Sequence, residues 1–269
     1  MDNRKALIAI ALLGALLAMA VALFMAGGGG GPSPGALGSP QKQTFLLIVA
    51  VIGLIAIAFV VFYIRTVSRV RRKDWQDRAD AIGDAVNLDF EQDIPKNFHR
   101  DFTFLPEIKK SGKTSRLARG SIAGHAALFF EHYYVVSTGQ TTQTIYHCVY
   151  STEAPNWPQC SVTPRGPISK LLRKLGRRKG LLLDDPAFND AYVVNCEDEP
   201  FAVTLLTPEM QRFMLEKTNT RWRILRGRVF LVYRGRLKLE RMPVSVNRLE
   251  RFWSHVPREV QAWERRGMV

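Results

Sequence analysis

Two long uncharged runs lie near the start of the chain. Ala6 to Ala26 holds about 21 residues dominated by Ala, Leu, Ile, Val and Met, and Thr44 to Ile64 repeats that length and character. At 1.5 Å per residue each run reaches roughly 31 Å, enough to cross a hydrocarbon core of about 30 Å. Only a helix satisfies every backbone amide in lipid over such a stretch. The pattern therefore predicts two transmembrane helices, 6–26 and 44–64. Between them lies a Gly/Pro/Ser-rich connector, 27–43, which opens with five consecutive glycines.

After the spans the periodicity changes. Asp74 to Leu88 reads as an amphipathic helix continuing from the second span, with Trp75, Ala79, Ile82 and Ala85 on one face. Asn87 to Gly112 has no clean period and reads as loop with short extended pieces. From Ala118 the chain turns to strand character. Leu128–Val136 and Gln143–Ser151 form a hairpin around the turn residues 137–142. Leu128, Phe130, His132, Tyr134 and Val136 share one face of its first strand, and Phe129, Glu131, Tyr133 and Val135 the other. Both faces are largely apolar, which places the hairpin inside a sheet rather than at its edge.

A basic helix is expected over Ile168–Leu175. Tyr192-Val193-Val194 reads as a short strand, Glu197 to Pro200 as an acidic turn, and Ala202–Leu206 as an apolar segment. Thr207 is suited to cap a helix that has Pro208 at its first position and Met210, Phe213 and Met214 as its buried stripe. Arg221–Arg226 and Arg228–Arg234 pair around Gly227, with a third piece after Gly235, and helical pattern resumes from Ser245 with a break at Pro257. The expected class is α+β: an N-terminal transmembrane helical hairpin (1–73), then a cytosolic domain (74–269) with a mainly antiparallel sheet and flanking helices.

Charge orients this plan. Of the net +14, about +7 lies from Asp74 onward, with 30 Lys/Arg against 23 Asp/Glu. Arg4 and Lys5 precede the first span, and Arg65, Arg69, Arg71, Arg72 and Lys73 follow the second, whereas Lys42 is the connector's only charge. The positive-inside rule puts both flanks in the cytoplasm and the glycine-rich loop outside. Met1–Lys5 and Ala18-Met19-Ala20 also resemble the ends of a cleaved signal peptide. Signal h-regions run about 7–15 residues, shorter than this one, and the globular part stays cytosolic on either reading. Gly14, Ala18 and Ala22 recur every fourth residue, which suits close approach of another helix or reflects nothing more than an Ala-rich span. Three widely spaced cysteines, Cys148, Cys160 and Cys196, agree with a reducing compartment.

With these elements assembled, the chain resembles a family of uncharacterised bacterial membrane proteins with two N-terminal spans and a C-terminal cytosolic domain. Phe188, Tyr192-Val193-Val194, Asp198, Ala202, Leu205-Leu206-Thr207-Pro208 and Met210 carry the likeness. The resemblance implies an inner-membrane, multi-pass location and the same architecture, and it implies no activity, cofactor or catalytic residue.

The apparent chemical motifs fall short of what each would need. Lys110 to Thr114 looks like the end of a P-loop, but the glycine the motif needs is Glu107, just after Pro106. His125, His132, His147, Cys148 and Cys160 concentrate soft ligands. His132 and His147 could meet across the hairpin, but His147 and Cys148 point to opposite faces. Cys196 precedes an acidic turn, which should raise its pKa. Neither a cofactor nor a small-molecule substrate is implied.

Two basic groups remain. The first contains Arg165, Lys170, Arg173, Lys174, Arg177, Arg178 and Lys179. The second lines the later hairpin, with Arg221, Arg223, Arg226, Arg228, Arg234, Arg236 and Lys238 interleaved with Trp222, Phe230 and Tyr233. Within them, Arg173, Lys174, Arg177, Arg178, Lys179, Arg223 and Arg228 are candidate polyanion contacts, and Arg65, Arg69, Arg71, Arg72 and Lys73 candidate membrane-surface contacts. Solvated faces with no ligand would look the same. The preferred expectation is a non-enzymatic interaction module at the cytoplasmic membrane face, in contact with the lipid bilayer and binding a protein partner or anionic lipid. The rivals are an enzyme without a local signature, gathering groups such as Glu131, His132, His147 and Asp198, and a membrane-tethered nucleic-acid-binding domain, the less favoured partner class.

Overall fold

The computed structural model describes residues 40–166 and 180–263. The first expected span, the connector up to residue 39 and the expected basic helix lie outside the described residues, as do Arg173, Lys174, Arg177, Arg178 and Lys179. The chain forms two compact units, Met1–Gln76 and Asp77–Val269.

Helix α1 runs unbroken from Pro40 to Val86, so the second expected span and the amphipathic helix after it are one element that begins four residues early. Along its length the residue types change while the helical backbone persists. Leu54, Phe59 and Phe62 are well exposed, whereas Ala79 and Gly83 are buried and Ile82 and Val86 pack against the core of the second unit. Ala85, expected on that buried face, is exposed. A glycine is required at 83 because a Cβ there would stand 2.3 Å from the Leu88 carbonyl oxygen.

The second unit is α+β, built on one antiparallel sheet of eight strands. They are β1 (Leu88–Phe90), β2 (Lys113–Ile122), β3 (His125–Ser137), β4 (Thr142–Glu153), β5 (Cys160–Pro164), β6 (Tyr192–Cys196), β7 (Arg221–Leu225) and β8 (Arg228–Arg234). Their spatial order is β1-β2-β3-β4-β8-β7-β5-β6, which places the β3–β4 hairpin in the interior as its two apolar faces demand. Strand character begins at Lys113, five residues before it becomes obvious in the sequence. The β7–β8 hairpin turns on Arg226 and Gly227, both at positive φ, the geometry that matches the twist of paired strands. The expected third piece after Gly235 is not a strand: Arg236–Lys238 is coil that leads into a 3-10 turn, Leu239–Arg241.

Among the described residues the unit also has helices α2 (Pro186–Ala191), α3 (Glu199–Leu205), α4 (Pro208–Leu215), α5 (Met242–His255) and α6 (Arg258–Gln261). Three of them start by the same device. Asp185, Asp198 and Thr207 accept hydrogen bonds from otherwise free first-turn amides, and Pro186, Pro200 and Pro208 occupy first-turn positions where an amide hydrogen would go unused. Ala202–Leu206, an apolar segment in the sequence, is therefore mostly α3.

Alternation along the strands separates two cores. Phe129, Cys148, Tyr150, Trp222, Ile224 and Leu231 pack under the helices with Phe188, Phe201, Met210, Phe213, Leu249 and Phe252. On the other face Leu117, Leu128, Phe130, Val149, Phe230 and Val232 pack under the irregular segment between β1 and β2, which contributes Phe98, Leu105 and Ile108. Buried Tyr192 ties strand to helix. Its hydroxyl lies 3.0 Å from the carbonyl oxygens of both Met214 and Lys217, at the end of α4.

Candidate functional site

Two features have the density of charge or perturbed chemistry expected of a site. The first is on α1. Among the described residues it is the one helix long and apolar enough to cross a membrane by length and composition, with a mean hydropathy of 1.7 in its apolar window and none of that window buried against protein. Arg65, Arg69, Arg71, Arg72 and Lys73 lie within the same helix, beyond its most apolar part, all exposed. Arg65, Arg69 and Arg72 recur at helical spacing and share a face.

The second is a cluster of histidine, arginine and acid on the sheet face opposite the helices. The register of β3 and β4 sets His132 directly against His147. The 3-10 turn Phe98–Phe102 adds His99, whose ring centroid lies 5.4 Å from that of His132. Local backbone fixes both rings: the Lys109 amide donates to His132 Nε2 at 3.1 Å, and His99 Nε2 lies 3.2 Å from the Lys110 carbonyl oxygen. All three Nδ1 atoms are buried without a hydrogen-bond partner. Burial pushes His132 down to about 4, and the neighbouring His99 and His147 add to the effect. Burial also lowers His147; Glu107 opposes this, while Arg221, Arg234 and Lys109 reinforce it. His132 and His147 are held as neutral imidazoles beside a cationic rim. The rim can attract an anion, and neither of these two rings readily accepts a proton.

Glu107 anchors the rim. Nearly buried, it accepts from Arg223 at 2.8 Å, with Arg221 at 3.6 Å. Arg223, a candidate polyanion contact, is thus committed to an internal acid. Arg228 donates to Ser151 Oγ at 2.9 Å and Glu153 at 3.2 Å. Arg226 lies over the Phe104 ring, and Arg165 is buried against the carbonyl oxygens of Asn189 and Tyr192. Exposed Arg234 keeps its charge toward solvent. Trp222 and Phe230, interleaved with these arginines in sequence, are buried in the two cores and cannot stack on a nucleobase.

The other polar groups considered from sequence are dispersed. Glu131 sits on the helix-side face of β3, buried, and accepts from the Ser115 hydroxyl, from Arg116 at 3.0 Å and from the Leu237 amide at 2.5 Å. Asp198 caps α3. Glu131, His132, His147 and Asp198 therefore do not share a pocket. His125 stacks on Trp253 with ring centroids 3.6 Å apart, away from the histidine cluster. Among the described residues no three His, Cys, Asp or Glu side chains are placed to hold one metal ion.

Cysteine behaves differently from expectation. Cys160 and Cys196 are direct partners across β5 and β6. A hydrogen bond from the Cys160 thiol holds Cys196 below the ordinary thiol range and outweighs the upward push of Asp198 and Glu197. The acidic turn alone had implied the reverse. Sequence reasoning also missed His99, because it lies in the aperiodic segment and gives no pattern to read. No known protein family matches the chain, and neither does any curated protein or solved structure.

Proposed function

We propose that the protein is a membrane-anchored, non-enzymatic interaction module at the cytoplasmic face of an inner membrane. In this reading Ala6–Ala26 and the apolar part of α1 cross the bilayer as a hairpin, and residues from Asp74 onward remain inside. One observation carries it: a helix whose apolar side chains face outward runs directly into five exposed cations. Exposed leucine and phenylalanine along a helix are unfavourable in water and favourable in hydrocarbon, and Lys/Arg at the end of a span marks the cytoplasmic side. Each of Arg65, Arg69, Arg71, Arg72 and Lys73 contributes about 1 kcal/mol of attraction when close to an anionic leaflet. Lys109, Arg221 and Arg234 around His147 supply a second cationic surface for an anionic headgroup or an acidic protein segment.

Carbonate washing of native membranes tests the anchor. The protein is expected in the pellet, and its release into the wash overturns the reading. Paired C-terminal reporters, one active only inside and one only outside, test the side. For binding, the full-length protein in detergent is titrated with short-chain anionic and zwitterionic lipids, with expected preference for the anionic. Equal affinity for the two removes the lipid part. Tight, steeply salt-dependent oligonucleotide binding replaces it with the nucleic-acid reading.

A further inference from the structure

Cys160 and Cys196 occupy a position in the sheet that the anchoring role does not use. The Glu197 amide donates to the Gln159 carbonyl at 2.9 Å, so Gln159 and Glu197 form a hydrogen-bonded pair. Pair types alternate along an antiparallel ladder, which makes the next pair, Cys160 and Cys196, a non-hydrogen-bonded one. Such pairs bring Cα atoms to about 4.5 Å with side chains on the same face, within the roughly 4.4–6.8 Å window of a disulfide. Both residues are free thiols.

We propose that Cys160 and Cys196 are a redox-active dithiol that closes to a cross-strand disulfide by exchange with a small oxidised disulfide of the glutathione class. The two sulfurs have different roles. Cys196 is half-buried and opens on a groove of about 530 Å³ lined by Gly180, Leu181, Leu182, Asn195 and Glu199. Its sulfur accepts from the Cys160 thiol and from the Asp198 amide, which favours its thiolate, the attacking form. Cys160 is buried behind it with its own thiol pushed up, chiefly by the bond it gives to Cys196.

In the reaction the Cys196 thiolate attacks one sulfur of the small disulfide, breaks its S–S bond and expels one thiolate. Cys160 then loses its proton and attacks the Cys196 sulfur of the mixed disulfide, expelling the second thiolate. Two protein thiols are oxidised and one small disulfide is reduced to two thiols. The remaining cysteine, Cys148, is an internal control. It is buried, donates to the Gly235 carbonyl at 3.5 Å, and burial with nearby Glu131 pushes it up to about 12.

The test uses reduced full-length protein in detergent, equilibrated with graded ratios of reduced and oxidised glutathione. Free thiols are counted by maleimide mass tagging, and linked peptides are identified by mass spectrometry. The expected result is loss of two of the three thiols with a 160–196 linked peptide, reversed by excess reduced glutathione. Cys160→Ser is expected to accumulate one glutathione adduct at Cys196, and Cys196→Ser none. Retention of all three thiols, an adduct at Cys148, or wild-type protein that stops at the Cys196 adduct overturns the proposal. The wild-type measurement decides even where a variant fails to fold.

Discussion

His132 and His147 stand directly opposite one another on β3 and β4, and neither ring readily takes a proton. Both are charged more readily in an unfolded chain, where nothing excludes water. The unfolded state therefore binds more protons wherever pH falls below the ordinary histidine value near 6.5. Stability is full above that value and declines as pH drops toward 4, by at most about 3 kcal/mol for His132. His132→Gln retains an acceptor for the Lys109 amide and cannot charge. Urea midpoints measured between pH 7 and 4.5 are expected to fall less in this variant than in wild type, and parallel declines refute the assignment.

Gly112 lies against the His132 ring. A Cβ at this position would stand 2.2 Å from the His132 Cε1 atom and 2.7 Å from the Tyr133 carbonyl oxygen. Gly112→Ala is expected to destabilise by about 1–3 kcal/mol, the range for overpacking a filled site. Adding His132→Ala should recover only part of the loss, because the Tyr133 carbonyl stays. A thermal melt of Gly112→Ala that matches wild type would contradict the close packing.

Glu131 is a buried carboxylate that accepts from three donors. Removing it as Glu131→Ala takes a buried acceptor away from Arg116, from the exposed Ser115 hydroxyl and from the Leu237 amide. A loss of about 1–3 kcal/mol is expected by denaturant unfolding, and an unchanged midpoint would refute the role of this carboxylate.

Thr207 begins α4 by accepting from the Met210 amide at 3.2 Å. Thr207→Ala is expected to cost about 1 kcal/mol and Thr207→Ser to restore most of it. Equal midpoints for the two variants would mean that the cap contributes nothing.

Where a single physical rule dominates, the sequence was readable. Thr207-Pro208 announced a helix start, Gly227 marked the later hairpin's turn although Arg226 belongs to that turn and not to the strand, and two apolar faces placed β3 and β4 inside the sheet. The opposite facing of His147 and Cys148 followed from strand alternation alone. Pairings between distant segments were not readable. That Cys160 meets Cys196, that Glu107 collects Arg221 and Arg223, and that His99 settles on His132 all depend on strand order and on a loop without period. The basic candidates show the same limit, since composition counts Arg223 and Arg228 as charges but does not reveal that each is held by an acid of its own chain.

The strand order also bears on how quickly this sheet assembles. β2, β3 and β4 follow one another through short turns, as do β7 and β8, but Glu153 on β4 meets Arg228 on β8 only after some 75 intervening positions. Closing that loop costs about 2 kcal/mol more chain entropy than closing the β3–β4 turn. Two local pieces form readily and must then find each other, so their seam governs the rate. Substitutions that weaken the seam, such as Val232→Ala, are expected to slow refolding in stopped-flow more than equally destabilising changes at the β3–β4 tip.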